Sequence, residues 1–136
     1  MLGYAYQLAA GSMWSSLSWL ETIRAPTLVL VGSVDQVVPP ANGYQLARLL
    51  PTSRLHVVDG GHLCLFDPDG PAVELVKDFF ASPAFAESKA WVSGAEIVDD
   101  EIVEAQLSAS SGAYPHRVVA AAYRRLVQRR LGYGTP

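Results

Sequence analysis

Pro26-Thr-Leu-Val-Leu-Val-Gly-Ser-Val-Asp-Gln-Val-Val-Pro39, followed by Leu55-His-Val-Val-Asp-Gly-Gly-His62, is the part of the chain from which the fold can be read. Residues 27–31 are apolar at nearly every position instead of alternating, the pattern of a strand buried on both faces in a parallel sheet covered by helices. Pro26 blocks helix continuation and favours an extended approach to that strand. Residues 55–58 read as a second strand, closed by Asp59-Gly-Gly61. Each strand therefore delivers one ionisable residue just past its C-terminal end. The first delivers Asp35, in a loop over residues 32–40, and the second delivers His62.

Between the strands, Asn42 or Gly43 starts a helix whose apolar positions Tyr44, Leu46, Ala47, Leu49 and Leu50 run up to Pro51. After the second strand, Asp67-Pro-Asp-Gly-Pro71 is a turn, and Pro71 suits the first position of a helix through Val73, Leu75, Val76, Phe79 and Phe80. The order strand, helix, strand, helix implies parallel strands joined by a right-handed crossover, hence an α/β architecture. Two strands alone make a marginal sheet. The expectation is an incomplete sheet whose further strands come from other sequence or from a second chain.

Working outward, residues 2–20 hold Tyr4, Tyr6, Met13 and two of the three tryptophans, Trp14 and Trp19. So many large apolar side chains need a surface to cover, whether as an amphipathic helix followed by a turn at Gly11-Ser12 or as a lid. Beyond Phe80 the character changes. Residues 81–93 are rich in small side chains, and residues 96–104 place five of the thirteen acids in nine positions. A small-residue linker over 108–113 precedes an expected helix over 116–131. Val119, Ala122, Tyr123, Leu126 and Val127 form its apolar stripe, and its five arginines are half of the chain's ten basic residues. That helix reads as docking on the body with its arginines toward the C-terminal dipole end, the other reading being a partner-binding arm.

Composition bounds the rest. Half of the 136 residues are hydrophobic and the mean hydropathy is +0.19, which suits a globular protein and excludes a disordered one. A formal charge of −3 argues against general affinity for nucleic acid or anionic membrane. With Cys64 alone, no intrachain disulfide forms, and a reducing cytoplasm is the simplest home. The N-terminus lacks the cationic and long apolar parts of a signal peptide, and no apolar run approaches the ~20 residues needed to span a bilayer.

Asp35 and His62 carry the chemistry. In open α/β sheets functional residues cluster beyond the carboxyl ends of the strands, and neighbouring parallel strands open their loops on one edge. A carboxylate there can hold an imidazole in one tautomer and stabilise the imidazolium that forms when the ring takes a proton. An acid and a histidine in that order are the last two members of a Ser…Asp…His triad. The first should lie on a G-x-S-x-G turn, and the chain contains none. Gly60 and Gly61 permit the tight backbone that swings the His62 ring inward. His56, inside a strand, reads as structural, His116 as a helix-start residue, Asp59 as a turn former and Cys64 as an inert thiol. Three scattered histidines and one cysteine lack zinc-ligand spacing, and no glycine-rich nucleotide fingerprint occurs. No cofactor or metal is expected.

These residues resemble the C-terminal part of α/β-hydrolase-fold proteins. There a Pro-Thr-Leu-Val strand leads through Gly-x-x-Asp to the acid, and Gly-Gly-His carries the base. The likeness covers about residues 23–80, is specific to the fold family and is silent on substrate. Residues 3–20, running straight into the acid strand, are similar to the lid-to-core junction of intracellular poly(3-hydroxyalkanoate) depolymerases. The resemblance implies Asp35 as triad acid, His62 as general base, and Tyr4, Tyr6, Trp14 and Trp19 as lid or pocket lining. It also implies a division into a lid or cap remnant (1–20), the C-terminal part of the hydrolase core (21–81), and an acidic linker with a basic amphipathic helix (82–136). The expected function is that of a C-terminal piece of a serine ester hydrolase acting on a small-molecule or polyester ester. An N-terminal hydrolase half on another chain would be its partner. The competing expectation is a non-catalytic remnant or protein-interaction module.

Overall fold

The computed structural model describes residues 15–110, together with Gly3. Tyr4, Tyr6, Met13, Trp14, the turn at Gly11-Ser12, His116 and the arginine-bearing helix all lie outside the described residues. The elements are β1 (Thr27–Gly32), α1 (Ala41–Leu49), β2 (Ser53–Val58), α2 (Pro71–Ala81), the short α3 (Lys89–Val92) and α4 (Asp100–Ala109). Single 3₁₀ turns occur at Leu20–Thr22, Cys64–Phe66 and Phe85–Glu87. β1 and β2 pair in parallel, with Val29 opposite Leu55 and Gly32 opposite Val58. The α/β architecture with a small, open parallel sheet is thus observed.

α1 starts at Ala41, one or two residues earlier than its apolar pattern suggests, because the Pro39-Pro40 pair has already set the first turn: Asn42 and Gly43 donate to the Pro39 and Pro40 carbonyls. Glycine at position 43 lets α1 sit directly on the sheet, since a Cβ there would collide with the Val31 Cγ1 methyl and stand 3.4 Å from Leu55 Cδ1. Leu20, Val29, Tyr44, Leu49, Leu50 and Leu55 are buried together in this layer, with Val31 and Val57 packed against them.

The acid-rich run after residue 95 is built into the body. Asp99 caps α4 by accepting the Ile102 N–H at 2.7 Å, and Asp100 and Glu101 sit in the first turn, where the helix dipole favours negative charge. Val103 and Leu107, four residues apart, enter the core beneath α1, and Arg48 grips Asp100 at 2.9 Å. On the opposite face of the sheet, His56 Nε2 lies 2.6 Å from the Ala90 carbonyl and Arg54 Nε donates to the Trp91 carbonyl at 3.1 Å. The Arg54 guanidinium also lies 4.7 Å over the Trp91 ring, whose other neighbours are Phe79 and Phe85. His56 is thus a buried tether between β2 and α3.

The strands are less enclosed than an apolar run implies. Val29 is buried, but Leu28, Leu30 and Val31 are only half-buried. Among the described residues the sheet has two strands, so β1 has a neighbour there along one edge.

Candidate active site

The loops leaving β1 and β2 are joined by backbone hydrogen bonds before any side chain takes part. Ser33 N–H donates to the Val58 carbonyl at 2.8 Å and Val34 N–H to the Gly60 carbonyl at 3.1 Å. This approach requires glycine at position 32, where a Cβ would stand 2.5 Å from both the Gly60 and Gly61 carbonyl oxygens. Gly60 has φ +141°, a conformation that favours glycine, and the turn it makes brings His62 back toward β1.

Asp35 is held from three directions. Its Oδ1 accepts the N–H groups of Val37 at 2.8 Å and Val38 at 2.9 Å, and its Oδ2 lies 3.0 Å from His62 Nδ1. The two side chains differ sharply in exposure, 9% for Asp35 and 45% for His62. Burial by itself would raise the Asp35 pKa. The Val38 N–H, the His62 contact and the Val37 N–H outweigh it together, and hold the carboxyl below its ordinary value. Asp35 is therefore ionised at neutral pH and can only accept hydrogen bonds, so the proton between the pair sits on His62 Nδ1. In the neutral ring that leaves the lone pair on Nε2, which can accept a hydrogen bond.

Beside the pair lies an open, largely apolar cleft of about 660 Å³, lined by Val37, His62, Leu63, Cys64, Asp59 and Asp67 among others. Exposed apolar side chains ring this end of the sheet: Val34, Val37, Leu63, Leu65 and Phe66. Cys64 is a free, partly buried thiol in the cleft wall. Asp59 does not contact His62; its Oδ1 takes a long 3.5 Å contact from Ser33 Oγ. Ser15 and Ser16 line a separate cavity of about 260 Å³ with Asn42 and Gln45. Among the described residues no serine hydroxyl is bonded to His62. Trp19 is exposed and lines neither cavity. The Val37 and Val38 amides are the functional groups that residue types could not reveal, because a backbone donor has no identity in the sequence. The one signal for them was the short loop after Asp35, which favours an aspartate that bonds amides two and three residues on.

A parallel strand pair with an acid and a histidine in contact beyond the strand ends defines a class. A family model of the alpha/beta hydrolase fold matches residues 2–69, half of the chain, and the protein belongs to that family. More particularly, the chain is 47% identical to a poly(3-hydroxyalkanoate) depolymerase of Ectopseudomonas oleovorans over 64 residues, which cover 47% of this chain and 23% of the depolymerase. It is 37% identical over 82 residues to BpoC, provisionally named a non-heme bromoperoxidase, in two strains of Mycobacterium tuberculosis (CDC 1551 and H37Rv), covering 59% of this chain and 31% of that protein. The matched segments thus span less than a third of these curated relatives. No solved structure matches the chain. Among the described residues no helix is long and apolar enough to cross a membrane.

Proposed function

We propose that these residues supply the acid and the base of a serine ester hydrolase of the polyhydroxyalkanoate depolymerase type, whose G-x-S-x-G nucleophile and remaining strands lie outside the 136 residues. The observation that supports this reading best is the 3.0 Å contact of His62 Nδ1 with an ionised Asp35 whose side chain is 9% exposed. Likeness to the depolymerase supports an ester substrate, and the apolar cleft beside His62 suits an aliphatic acyl chain.

In the completed site a serine hydroxyl donates to His62 Nε2. As its oxygen attacks the ester carbonyl, the proton passes to Nε2 and Asp35 stabilises the imidazolium. The tetrahedral intermediate collapses, Nε2–H protonates the leaving alkoxide, and an acyl-serine remains. Water, deprotonated by the same nitrogen, then attacks the acyl carbon and releases the acid. The oxyanion donors, like the serine, belong to the part of the hydrolase outside these residues. No cofactor enters these steps.

The test combines this chain with the part of the Ectopseudomonas oleovorans depolymerase that precedes its matched segment, and follows hydrolysis of p-nitrophenyl octanoate. Hydrolysis is expected only in the mixture, and His62→Ala should lower it by several orders of magnitude. A folded complex whose hydrolysis survives His62→Ala overturns the reading.

A further inference from the structure

Gln45 breaks the pattern of the helix that carries it. Ala41, Gln45 and Leu49 follow one another at four-residue intervals along α1, and each is only 1% exposed. An apolar side chain is the expected occupant of such a stripe, as at its other two positions. A carboxamide there has given up its water and needs hydrogen-bond partners in exchange. Among the described residues, neither Oε1 nor Nε2 of Gln45 has one, and the same holds for the buried Oδ1 of Asn42. Asn42 and Gln45 are three residues apart, so they are neighbours on one side of α1. Both line the cavity of about 260 Å³ that lies apart from His62. Unpaired buried amides lower the stability of a fold, so a pair of them on one cavity wall is explained by what they can bind.

We infer that this cavity is a binding site for a small, neutral aliphatic primary amide, recognised by Gln45 and Asn42. The inference goes beyond the proposed function and does not depend on it, since it uses neither His62 nor a nucleophile. Charge is excluded first. Among the described residues that line the cavity none is ionised at neutral pH, so a carboxylate or an ammonium would be desolvated there without a counter-charge. Size is bounded next, because the volume falls below the ~300–1,000 Å³ of pockets for drug-sized ligands. The head group follows from the unpaired atoms. The Gln45 NH₂ needs an acceptor, and Gln45 Oε1 and Asn42 Oδ1 each need a donor. A primary amide carries one carbonyl and two N–H groups on a single head, whereas a hydroxyl has one donor and an ester has none. Leu17, Val38 and Leu46 supply apolar wall for a short alkyl chain. Val38 also joins the cavity to the Asp35 loop, since its N–H is one of the two that Asp35 Oδ1 accepts.

The experiment titrates the full, nitrogen-15-labelled chain with butyramide. It follows the side-chain NH₂ signals of Gln45 and Asn42 and the backbone amide of Val38 by nuclear magnetic resonance. Saturable shifts of all three are expected, with a dissociation constant on the order of millimolar for so small a ligand. Methyl butyrate, which has no donor, and butyrate, which is charged, should bind about tenfold more weakly or worse. Gln45→Met keeps the length of the side chain and removes its polar atoms. It should raise the urea midpoint of the chain alone, because an unpaired buried amide is gone, and weaken butyramide binding by about tenfold or more. A merely structural glutamine would not move these two readouts in opposite directions. A lowered midpoint or failure to fold in that variant overturns the inference, as does a nuclear Overhauser contact from the Gln45 NH₂ to a polar group of residues 1–14, since the amide would then be paired within the chain. Shifts that do not saturate or that spare Gln45, or binding of butyrate or methyl butyrate as tight as that of butyramide, overturn it as well. Loss of hydrolysis in the depolymerase mixture bears on the proposed function alone and leaves this site standing.

Discussion

Asp35 couples the stability of this chain to its chemistry. The carboxylate accepts three hydrogen bonds while only 9% of its side chain is exposed, and its pKa lies below the ordinary value. A carboxyl whose folded pKa is depressed binds its proton more readily in the unfolded chain. Its contribution to stability is therefore complete above the unfolded value of about 3.9 and is lost as pH falls through the folded value. Urea unfolding followed from pH 6 down to pH 2.5 should show a steep acid limb, and Asp35→Asn should flatten it. An acid limb unchanged by the substitution would mean that other carboxylates dominate. In the completed enzyme the same substitution has a second effect. The Asn amide can still accept from Val37 and Val38, but its NH₂ would face Nδ1 and drive the proton to Nε2, leaving no base for the serine. A loss of roughly 10³–10⁴ in kcat with little change in KM is expected, by analogy with the same change in other triads. Asp59 offers no substitute, since it is tied to Ser33 and not to the ring. His56→Ala serves as the contrast. It should leave turnover unchanged and destabilise the fold by about 1–3 kcal/mol, because the Ala90 carbonyl loses its partner; a fall in kcat would show that β2 is not rigid enough to separate tether from site.

At the scale of elements, the α1–sheet contact and the α4 dock carry the fold. Gly43→Ala should raise the intrinsic helix propensity of α1 yet lower stability by about 1–3 kcal/mol, because the added methyl collides with Val31 and lifts the helix from the sheet. Chemical denaturation checks this directly, and a stabilised variant would show that α1 can shift at no cost. Val103→Ala in α4 should cost roughly 2 kcal/mol, since a fully buried side chain would leave a cavity under α1. Sequence alone makes β1, β2, α1 and α2 legible, because an unbroken apolar run between Pro26 and Gly32 and prolines at 51 and 71 are local signals. It makes the Asp35–His62 contact legible through loop position. α4 is obscured by its own caps: Asp99, Asp100 and Glu101 make the run look like a solvated acidic linker, and only Val103 and Leu107 mark its buried face. The His56–Ala90 contact spans 34 residues and carries no local pattern at all.

For the whole molecule, the unevenness of the surface matters more than any single contact. Among the described residues no strand pairs with the outer edge of β1, and the site end carries Val34 at 66%, Val37 at 70%, Leu63 at 63% and Phe66 at 81% exposure. An open strand edge beside exposed apolar side chains is a template for association, and a net charge of −3 supplies little repulsion against it. The chain purified alone should therefore show a weight-average mass that climbs with concentration across about 1–100 μM in sedimentation equilibrium. On the proposed function it should also have negligible turnover of p-nitrophenyl octanoate, because that reading places both the covalent step and the oxyanion donors (worth ~3 kcal/mol each in other hydrolases) outside it. Two variants separate the sources of association. Leu63→Ser with Phe66→Ser removes apolar surface and leaves the β1 edge intact, whereas Leu30→Lys places a charge on a half-buried strand position beside that edge. If strand pairing dominates, the second should suppress the concentration dependence more than the first; if apolar contact dominates, the order reverses. A single monomeric species over the whole range, with one cooperative melting transition, would show that two strands, α1 and α4 make a self-sufficient unit. The open edge would then be a feature the chain tolerates and not one that it uses.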